Sequence, residues 1–386
     1  MAFPYDDIFE IFSWLPAKAI YKFTSCNKLL SKFPDEPYFA LKQAQNALLR
    51  DDTCFFIHND PVQWYNSKIE LHPLSQQNEL SCGVSNDILL FLSKHTNVIS
   101  SSNGLILCRL ASGPNKLKFF IVNPATQWWL PIPIPEHLHV YQNLRIGFEC
   151  DSKGCMVFVF DASDRGWCSN LDYKVHLYKD GEWKTREERF FTGGRNLIFD
   201  NLVYYNGAIH IISDCFSYIS YKPYIVSYNF TNGESRMLSV PTEATKNSDY
   251  HDCKMRIFKW GKLNSSSESI CLVRLRNYEF TVWALVKYES GLWKRVLKVG
   301  VEAMGLMEED PTITGFVVLN GDVLVFATKK KIYGYDLSNE KYTRIQEICE
   351  HKFKLNVRFT SYSNTLRMCG VGALPLPLSE LSKGKC

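Results

Sequence analysis

The stretch Val175-His176-Leu177-Tyr178-Lys179-Asp180-Gly181-Glu182-Trp183 decides the architecture, because it recurs along the chain. An alternating strand ends on Tyr178, Asp180-Gly181 supplies a tight hairpin turn, and Trp183 opens the return strand. Related units occupy 120–128, 225–235, 285–293 and 332–342. Aligning them on Val122, Tyr178, Tyr228, Tyr288 and Tyr335 gives spacings of 56, 50, 60 and 47 residues. One blade of a β-propeller takes ~40–50 residues, so these spacings suit blades with some long loops. A second marker runs at twice that period. Asn103-Gly104, Asn206-Gly207 and Asn320-Gly321 each precede an apolar strand and lie 103 and 114 residues apart. The order within a unit is therefore strand, Asn-Gly turn, strand, then the aromatic hairpin: a sheet of about four strands. Five units on one period favour a β-propeller of about six blades over the alternative, a β-sandwich-like arrangement. The segments 55–58 and 357–360 are the candidate strands that close the ring together.

Composition agrees with an architecture rich in strands. Of 386 residues, 25 are Phe, 20 Tyr and 9 Trp, and aromatic rings favour pleated, half-buried surfaces. With 46% hydrophobic and 22% charged residues, the chain is neither disordered nor a membrane protein. The 44 basic residues nearly balance the 40 acidic ones, so neither nucleic acid nor an acidic membrane is the expected partner. The first residues carry Asp6 and Asp7 instead of a basic leader, and no apolar run approaches ~20 residues. The 13 Cys include no C-x-x-C pair, the closest spacing being Cys150 to Cys155. They read as free thiols of a cytoplasmic or nuclear protein, in preference to disulfides or zinc ligands. In that compartment the sequons at Asn229 and Asn264 have no role, and the ending Lys383-Gly384-Lys385-Cys386 is not a prenylation box.

The first 48 residues read differently. Ile8, Ile11, Phe12 and Leu15 mark one helix face, with Asp7 as its expected cap and Pro16 as its stop. Further short helices are expected over 17–23, 25–33 and 38–49, with Pro34 and Pro37 breaking the chain between the last two. So small a helical unit has a thin core, and such units often need a partner to cover an apolar stripe. The expected organisation is α plus all-β: a helical module over 1–48, a linker with possible first strands over 49–98, the propeller over 99–375 and a tail over 376–386.

The spelling of the helical module, 3–20, resembles the start of an F-box. Phe3-Pro4 and Leu15-Pro16 stand at its two Leu-Pro anchors, Glu10-Ile11-Phe12 at its Glu-Ile-Leu, Cys26 at its Cys, and Pro37-Tyr38-Phe39 at its closing Pro-x-Phe. Phe3 replaces the first Leu, Ser25 the usual Val, and Leu29 the usual Trp. Further along, 101–108 followed by Val122-Asn123-Pro124-Ala125-Thr126-Gln127-Trp128 resembles the opening of plant F-box-associated, kelch-like domains. Tyr205-Asn206-Gly207-Ala208-Ile209-His210 and Val282-Trp283-Ala284-Leu285 resemble two of their later strands. The resemblance implies a substrate-recognition subunit of an SCF-type (Skp–cullin–F-box) ubiquitin ligase. The helical module would dock on a Skp-type adaptor, and through it on cullin, while the propeller holds a target protein for ubiquitination and proteasomal degradation. It implies Pro4, Ile8, Ile11, Leu15, Pro16, Ile20 and Cys26 as adaptor-facing anchors, some of which must instead hold the small core.

No catalytic residues, cofactor or metal are expected. The chain lacks G-x-S-x-G, G-x-x-x-x-G-K-[ST], H-E-x-x-H and G-x-G-x-x-G. His137 and His139 read as loop residues, Lys329-Lys330-Lys331 as a solvated strand edge, and Trp128, Trp129, Trp183 and Trp293 as blade packing rather than a ligand groove. Two other readings stay open: an adaptor-binding scaffold without a degradative role, and a propeller enzyme or glycan-binding protein. The target protein is not legible, because propellers bind through loops.

Overall fold

The computed structural model describes residues 5–28, 30–47, 49, 54–59, 69–74, 83–110, 118–134, 145–151, 154–162, 172–187, 190–193, 196–214, 222–246, 253–261, 268–309, 311–338, 345–353 and 356–377. Pro4, Leu29, His137, His139, Asn264 and Tyr342 lie outside them.

Three α-helices open the chain: α1 (Tyr5–Ser13), α2 (Ala17–Thr24) and α3 (Pro37–Ala47). Asp7 lies within the first turn of α1 instead of capping it, where a carboxylate still meets the positive end of the helix dipole. The expected helix over 25–33 is absent among the described residues. Its backbone bonds run three residues back (Cys26 N to Phe23 O, Leu30 N to Asn27 O, Phe33 N to Leu30 O), giving turns and a single 3-10 turn at Phe33–Asp35. Pro37 then sits at the first position of α3, where its missing N–H costs nothing.

The β-sandwich alternative does not hold, because the strands form six separate sheets around one axis. The chain enters through β1 (Cys54–Asn59) and β2 (Ile69–Pro73), then α4 (Asn86–His95). Blade 1 follows as β3 (Thr96–Ser102), β4 (Leu105–Leu110), β5 (Phe119–Asn123) and β6 (Trp128–Ile132). Blade 2 is β7 (Arg145–Asp151), β8 (Gly154–Ala162), β9 (Asp172–Lys179) and β10 (Glu182–Thr185), with β11 (Phe190–Phe191) also pairing β9. Blade 3 is β12 (Val203–Tyr205), β13 (Ala208–Ile212), β14 (Tyr224–Asn229) and β15 (Ser235–Ser239); the short α5 (Thr242–Thr245) leads onward. Blade 4 is β16 (Lys254–Trp260), β17 (Ser269–Arg276), β18 (Glu279–Lys287) and β19 (Leu292–Gly300). Blade 5 is β20 (Gly315–Leu319), β21 (Val323–Ala327), β22 (Lys331–Asp336) and β23 (Gln346–Glu350). Blade 6 combines both ends of the chain: β24 (Val357–Tyr362) pairs antiparallel with β1, with Phe56 opposite Thr360, and β2 completes the sheet. The ring therefore closes by main-chain hydrogen bonds between 55–58 and 357–360. Finally β25 (Leu374–Pro375) adds to the outer edge of blade 1.

The repeat markers sit at equivalent places. Val122, Tyr178, Tyr228 and Tyr335 are the penultimate residues of the third strands of their blades, and Tyr288 directly follows the third strand of blade 4. The three Asn-Gly pairs join first to second strand in blades 1, 3 and 5, with Asn φ of 48, 50 and 53° and Gly φ of 80, 74 and 77°. Apolar clusters fill the wedges between adjacent sheets, as at blades 2 and 3, where Phe158 and Phe230 stack with ring centroids 4.3 Å apart. Strands buried on both faces therefore lose the simple alternation; every residue of β13 is buried. Two outer-strand tryptophans join neighbouring blades. Trp183 Nε1 donates to Pro133 O (2.5 Å) and Trp293 Nε1 to Ser239 O (2.9 Å).

The free-thiol reading needs correction. Cys150 and Cys155 face each other across the β7–β8 hairpin with Cα atoms 4.1 Å apart and form a disulfide, and Cys54 is also disulfide-bonded. Directly opposed cysteines on antiparallel strands come close enough to bond whatever their spacing in sequence suggests. Cys108, Cys271 and Cys369 remain buried thiols, each pushed up to about 12 by burial. Lys331 pairs with Glu347 on the next strand at 2.7 Å. Among the described residues no helix is long and apolar enough to cross a membrane.

Candidate protein-docking surface

Residues 363–373, between β24 and β25, form a strap that joins the helical module to blade 1. Asn123, fully buried, holds it: Nδ2 donates to Thr365 O (2.9 Å) and Arg367 O (2.7 Å), while Oδ1 accepts from Ala125 N (2.9 Å) within its own turn. The Asn103-Gly104 turn touches the strap from the other side. Thr365 Oγ1 donates to Asn103 O (3.1 Å), and a Cβ on Gly104 would stand 1.9 Å from Thr365 Oγ1. Arg367 is buried and donates Nη2 to Asp151 O (2.5 Å). Two sequence features that carried the family resemblance, Asn-Gly and Asn-Pro-Ala-Thr, thus serve as the seat of the strap.

The helices close on the strap's other side. Ala17 N donates to Asn364 O (3.3 Å) and Lys18 N to Asn364 Oδ1 (3.0 Å). Gln43, buried in α3, accepts from Leu366 N (2.9 Å) and donates to Leu15 O (2.9 Å). The hydrogen-bond network orients the Asn103 amide with its nitrogen 3.1 Å from Ala44 O. Leu366 enters the helical core itself, beside Ala17, Ile20, Phe33 and Phe39, and Ala125 packs on its edge. The thin core of the module is therefore completed by the propeller.

The six anchors among the described residues separate by burial. Ile20 is 0% exposed and belongs to the module's interior. Ile8, Leu15 and Pro16 are half-buried; Ile8 and Leu15 pack on the core, while the Pro16 carbonyl accepts from Ala19 N (2.9 Å) at the start of α2. Ile11 is 57% exposed, and Cys26 is exposed with its thiol toward Lys22 O. Further large side chains beyond these anchors face outward. Phe23 is 49% and Tyr38 68% exposed, and Tyr5, Trp14 and Tyr21 also face outward. Half-buried rings knit them together: Phe12 meets Phe23 edge-on at 5.6 Å, and Phe9 stacks on Tyr38 at 5.6 Å. Charges rim this patch, with Lys42 3.4 Å from Glu10 and Trp14 Nε1 donating to Glu10 Oε1 at 3.3 Å. Exposed aromatic and aliphatic side chains gathered on a small helical module, with charges beside them, mark a protein-docking surface. Phe23 and Tyr38 were within reach of the sequence, since both stand at positions quoted for the F-box resemblance or beside them, but their exposure depends on how α2 and α3 pack.

The strap and the helices occupy the end of the propeller where the first strands finish, as the Ser102–Leu105 turn of blade 1 shows. At the opposite end the first strands begin. There a cavity of about 170 Å³ opens at the central channel, lined by Lys254, Arg256, Arg358 and Asp200. A second, of about 400 Å³, lies on blade 4. Among the described residues no group of His, Cys, Asp and Glu could hold a metal ion.

A family model agrees with this architecture. The family model described as "F-box protein At3g26010-like, beta-propeller" matches residues 79–346. The F-box protein At5g49610 of Arabidopsis thaliana is 23% identical over 354 residues, covering 86% of this chain and 88% of that one. A second Arabidopsis thaliana chain, At3g23970, is 20% identical, covering 96% and 94%. Among solved structures, the Aleuria aurantia lectin covers 75% of this chain and 88% of its own at 12% identity, with a TM-score of 0.40.

Proposed function

This chain belongs to the F-box proteins with an At3g26010-like β-propeller, and on that premise we propose that it is the substrate-recognition subunit of an SCF-type ubiquitin ligase of the cytoplasm or nucleus. The helical module docks on a Skp-type adaptor, and through it on cullin. The propeller holds a target protein at its opposite end. The observation that carries the reading is the exposed patch built on Ile11, Phe23 and Tyr38, on helices that are fastened to the propeller through the strap. A rigid fastening matters because the receptor works by effective concentration: a target held at a fixed position meets the transfer machinery intramolecularly. Catalysis of the transfer is left to other subunits.

Of the anchors, Ile11 and Cys26 meet the adaptor directly, with Ile8, Leu15 and Pro16 at the patch border and Ile20 supporting it from beneath. Pro4 stands with them on the resemblance alone. Residues 1–48 are the docking module, 49–98 supplies two of the three strands of blade 6 and the lead-in to blade 1, and 99–375 is the receptor domain. Leu15→Ala with Pro16→Ala is expected to abolish adaptor capture. Because the Leu15 carbonyl is tied to Gln43, Ile11→Asp with Phe23→Asp is the cleaner test, as both side chains are already half in water. Capture unchanged in that variant refutes the assignment of the patch. Co-purification of cullin, with a target that accumulates when the chain is removed, separates a ligase receptor from a scaffold.

A further inference from the structure

Innermost strands of neighbouring blades meet around the central channel: β12 with β16, β16 with β20, β20 with β24 and β24 with β3. The cavity of about 170 Å³ lies where these strands start. Lys254 and Arg256 of β16, Arg358 of β24 and Asp200, just ahead of β12, line it. Asp200 and Arg358 pair across the channel at 2.6 Å, joining blade 3 to blade 6. Lys254 and Arg256 then have no carboxylate partner among the described residues. Lys254 Nζ donates to Ile313 O (3.4 Å), and Arg256 Nη1 to its neighbour's carbonyl, Met255 O (3.0 Å). Three cations thus stand against one carboxylate, an excess of two positive charges in one confined mouth. Further along the same strand the balance is kept, because Lys259 pairs with Glu149 at 2.9 Å.

Lys254 and Arg256 share one face of β16. As alternate residues they leave the strand on the same side, ~7 Å apart, while Met255 and Ile257 turn to the buried opposite face. Burial, and then the nearby Arg256, push the Lys254 ammonium below its ordinary range, and an anion set between the two cations would offset both causes. The wall supplied by blade 6 is polar as well, with His58 Nε2 hydrogen-bonded to Thr360 Oγ1 at 2.9 Å. A volume of about 170 Å³ is below the ~300–1,000 Å³ of pockets for drug-sized ligands, so the space suits a molecule of a few carbon atoms. Two separated carboxylates match two separated cations, and a guanidinium fork takes a carboxylate through two parallel bonds. A phosphate gathers its charge on one centre and matches this spacing less well.

We propose that this mouth of the channel binds a small dicarboxylate, one carboxylate on the Arg256 guanidinium and the other on the Lys254 ammonium, its two negative charges balancing the local excess. The site goes beyond the ligase reading and does not rest on it. It lies at the opposite end of the propeller from the helices, so the ligand and an adaptor do not compete for the same surface.

The test is isothermal titration calorimetry of the full chain with succinate and with glutarate at low salt, beside acetate and inorganic phosphate. The account expects one equivalent of a dicarboxylate to bind, more tightly than either acetate or phosphate, and the affinity to fall as salt rises. Lys254→Gln and Arg256→Gln should each weaken it about tenfold, or about 1.4 kcal/mol. Asp200→Asn should strengthen binding, since it removes the one carboxylate and frees Arg358 for the ligand; a gain cannot come from a damaged fold, so this variant reads the site even if the other two unfold. Lys184→Gln, exposed on the outer strand of blade 2, should bind as the parent does. Several results overturn the proposal: no saturable heat with either dicarboxylate, phosphate or acetate binding as tightly, unchanged affinity in the folded Lys254 and Arg256 variants, or weaker binding by Asp200→Asn. An Asp/Glu-rich peptide that binds the full chain more tightly than both dicarboxylates also overturns it, by assigning the mouth to a protein partner. Adaptor capture measured in parallel bears on the ligase reading alone.

Discussion

Asn123→Ala is the sharpest perturbation of the scaffold, because one buried amide serves four backbone partners. It donates to Thr365 O and Arg367 O and accepts from Ala125 N, at 2.7–2.9 Å, and accepts from Thr126 N at 3.4 Å. Alanine takes the partner from two buried carbonyls and from two part-buried N–H groups. At about 1–3 kcal/mol for each stranded group, and with partial relaxation, the expected loss is about 4 kcal/mol. Urea unfolding followed by tryptophan fluorescence should show that loss as a lowered midpoint. Hydrogen exchange should locate it: the amides of Ala17, Lys18 and Leu366, which bond across the strap, should lose protection more than those of β17 in the distant blade 4. Asn123→Asp should be at least as damaging, because it removes both donated bonds and sets a carboxylate against two carbonyl oxygens. A loss under about 1 kcal/mol, or protection that falls equally everywhere, would refute the claim that this side chain fastens the helices to the ring.

Three further outcomes follow from the same geometry. Gly104→Ala should cost about 2 kcal/mol or more, since its φ of +80° disfavours any side chain and the new Cβ would meet Thr365 Oγ1; an unchanged melting temperature would contradict this. His210 bonds Tyr288 Oη at 2.8 Å between blades 3 and 4, and burial lowers its pKa to about 4. The unfolded chain takes up that proton near pH 6.5, so the stability at this position is complete above pH 6.5 and lost as pH falls toward 4, by about 3 kcal/mol. His210→Gln should flatten that slope, and parallel stability profiles for the two proteins would count against it. Trp293→Phe should cost about 1 kcal/mol through the lost bond to Ser239 O, with Trp183→Phe matching it through Pro133 O; thermal melts identical to the parent's would remove these residues from blade-to-blade contact.

The ring was legible in sequence because each blade repeats a local rule. Tyr178 before Asp180-Gly181, and Asn206-Gly207 before β13, mark turns whose φ angles only a few residue types accept, and such turns do not depend on distant contacts. The pairing of β1 with β24 was legible for a similar reason, as two strands left over from five complete units. What escaped depends on packing between distant segments. Residues 25–33 carry an apolar residue at Leu30 and Phe33, yet those rings and chains serve a core completed by Leu366, and the backbone adopts turns. The strap has no periodicity, so nothing in 363–373 announces that it binds both Gln43 and Asn123. Among the candidate anchors, periodicity grouped Ile8, Ile11 and Leu15 on one face. Only the packing of α2 and α3 separates Ile11 in water from Ile20 in the interior. The Cys150–Cys155 bond likewise follows from strand register, which the five-residue spacing alone does not reveal.

The most direct test is capture of a purified plant Skp-type adaptor by the full chain, beside the Ile11→Asp, Phe23→Asp variant. The account predicts a one-to-one complex with the parent and at least a tenfold loss with the variant, at an unchanged melting temperature. No complex with the parent, or equal capture by both, would contradict it.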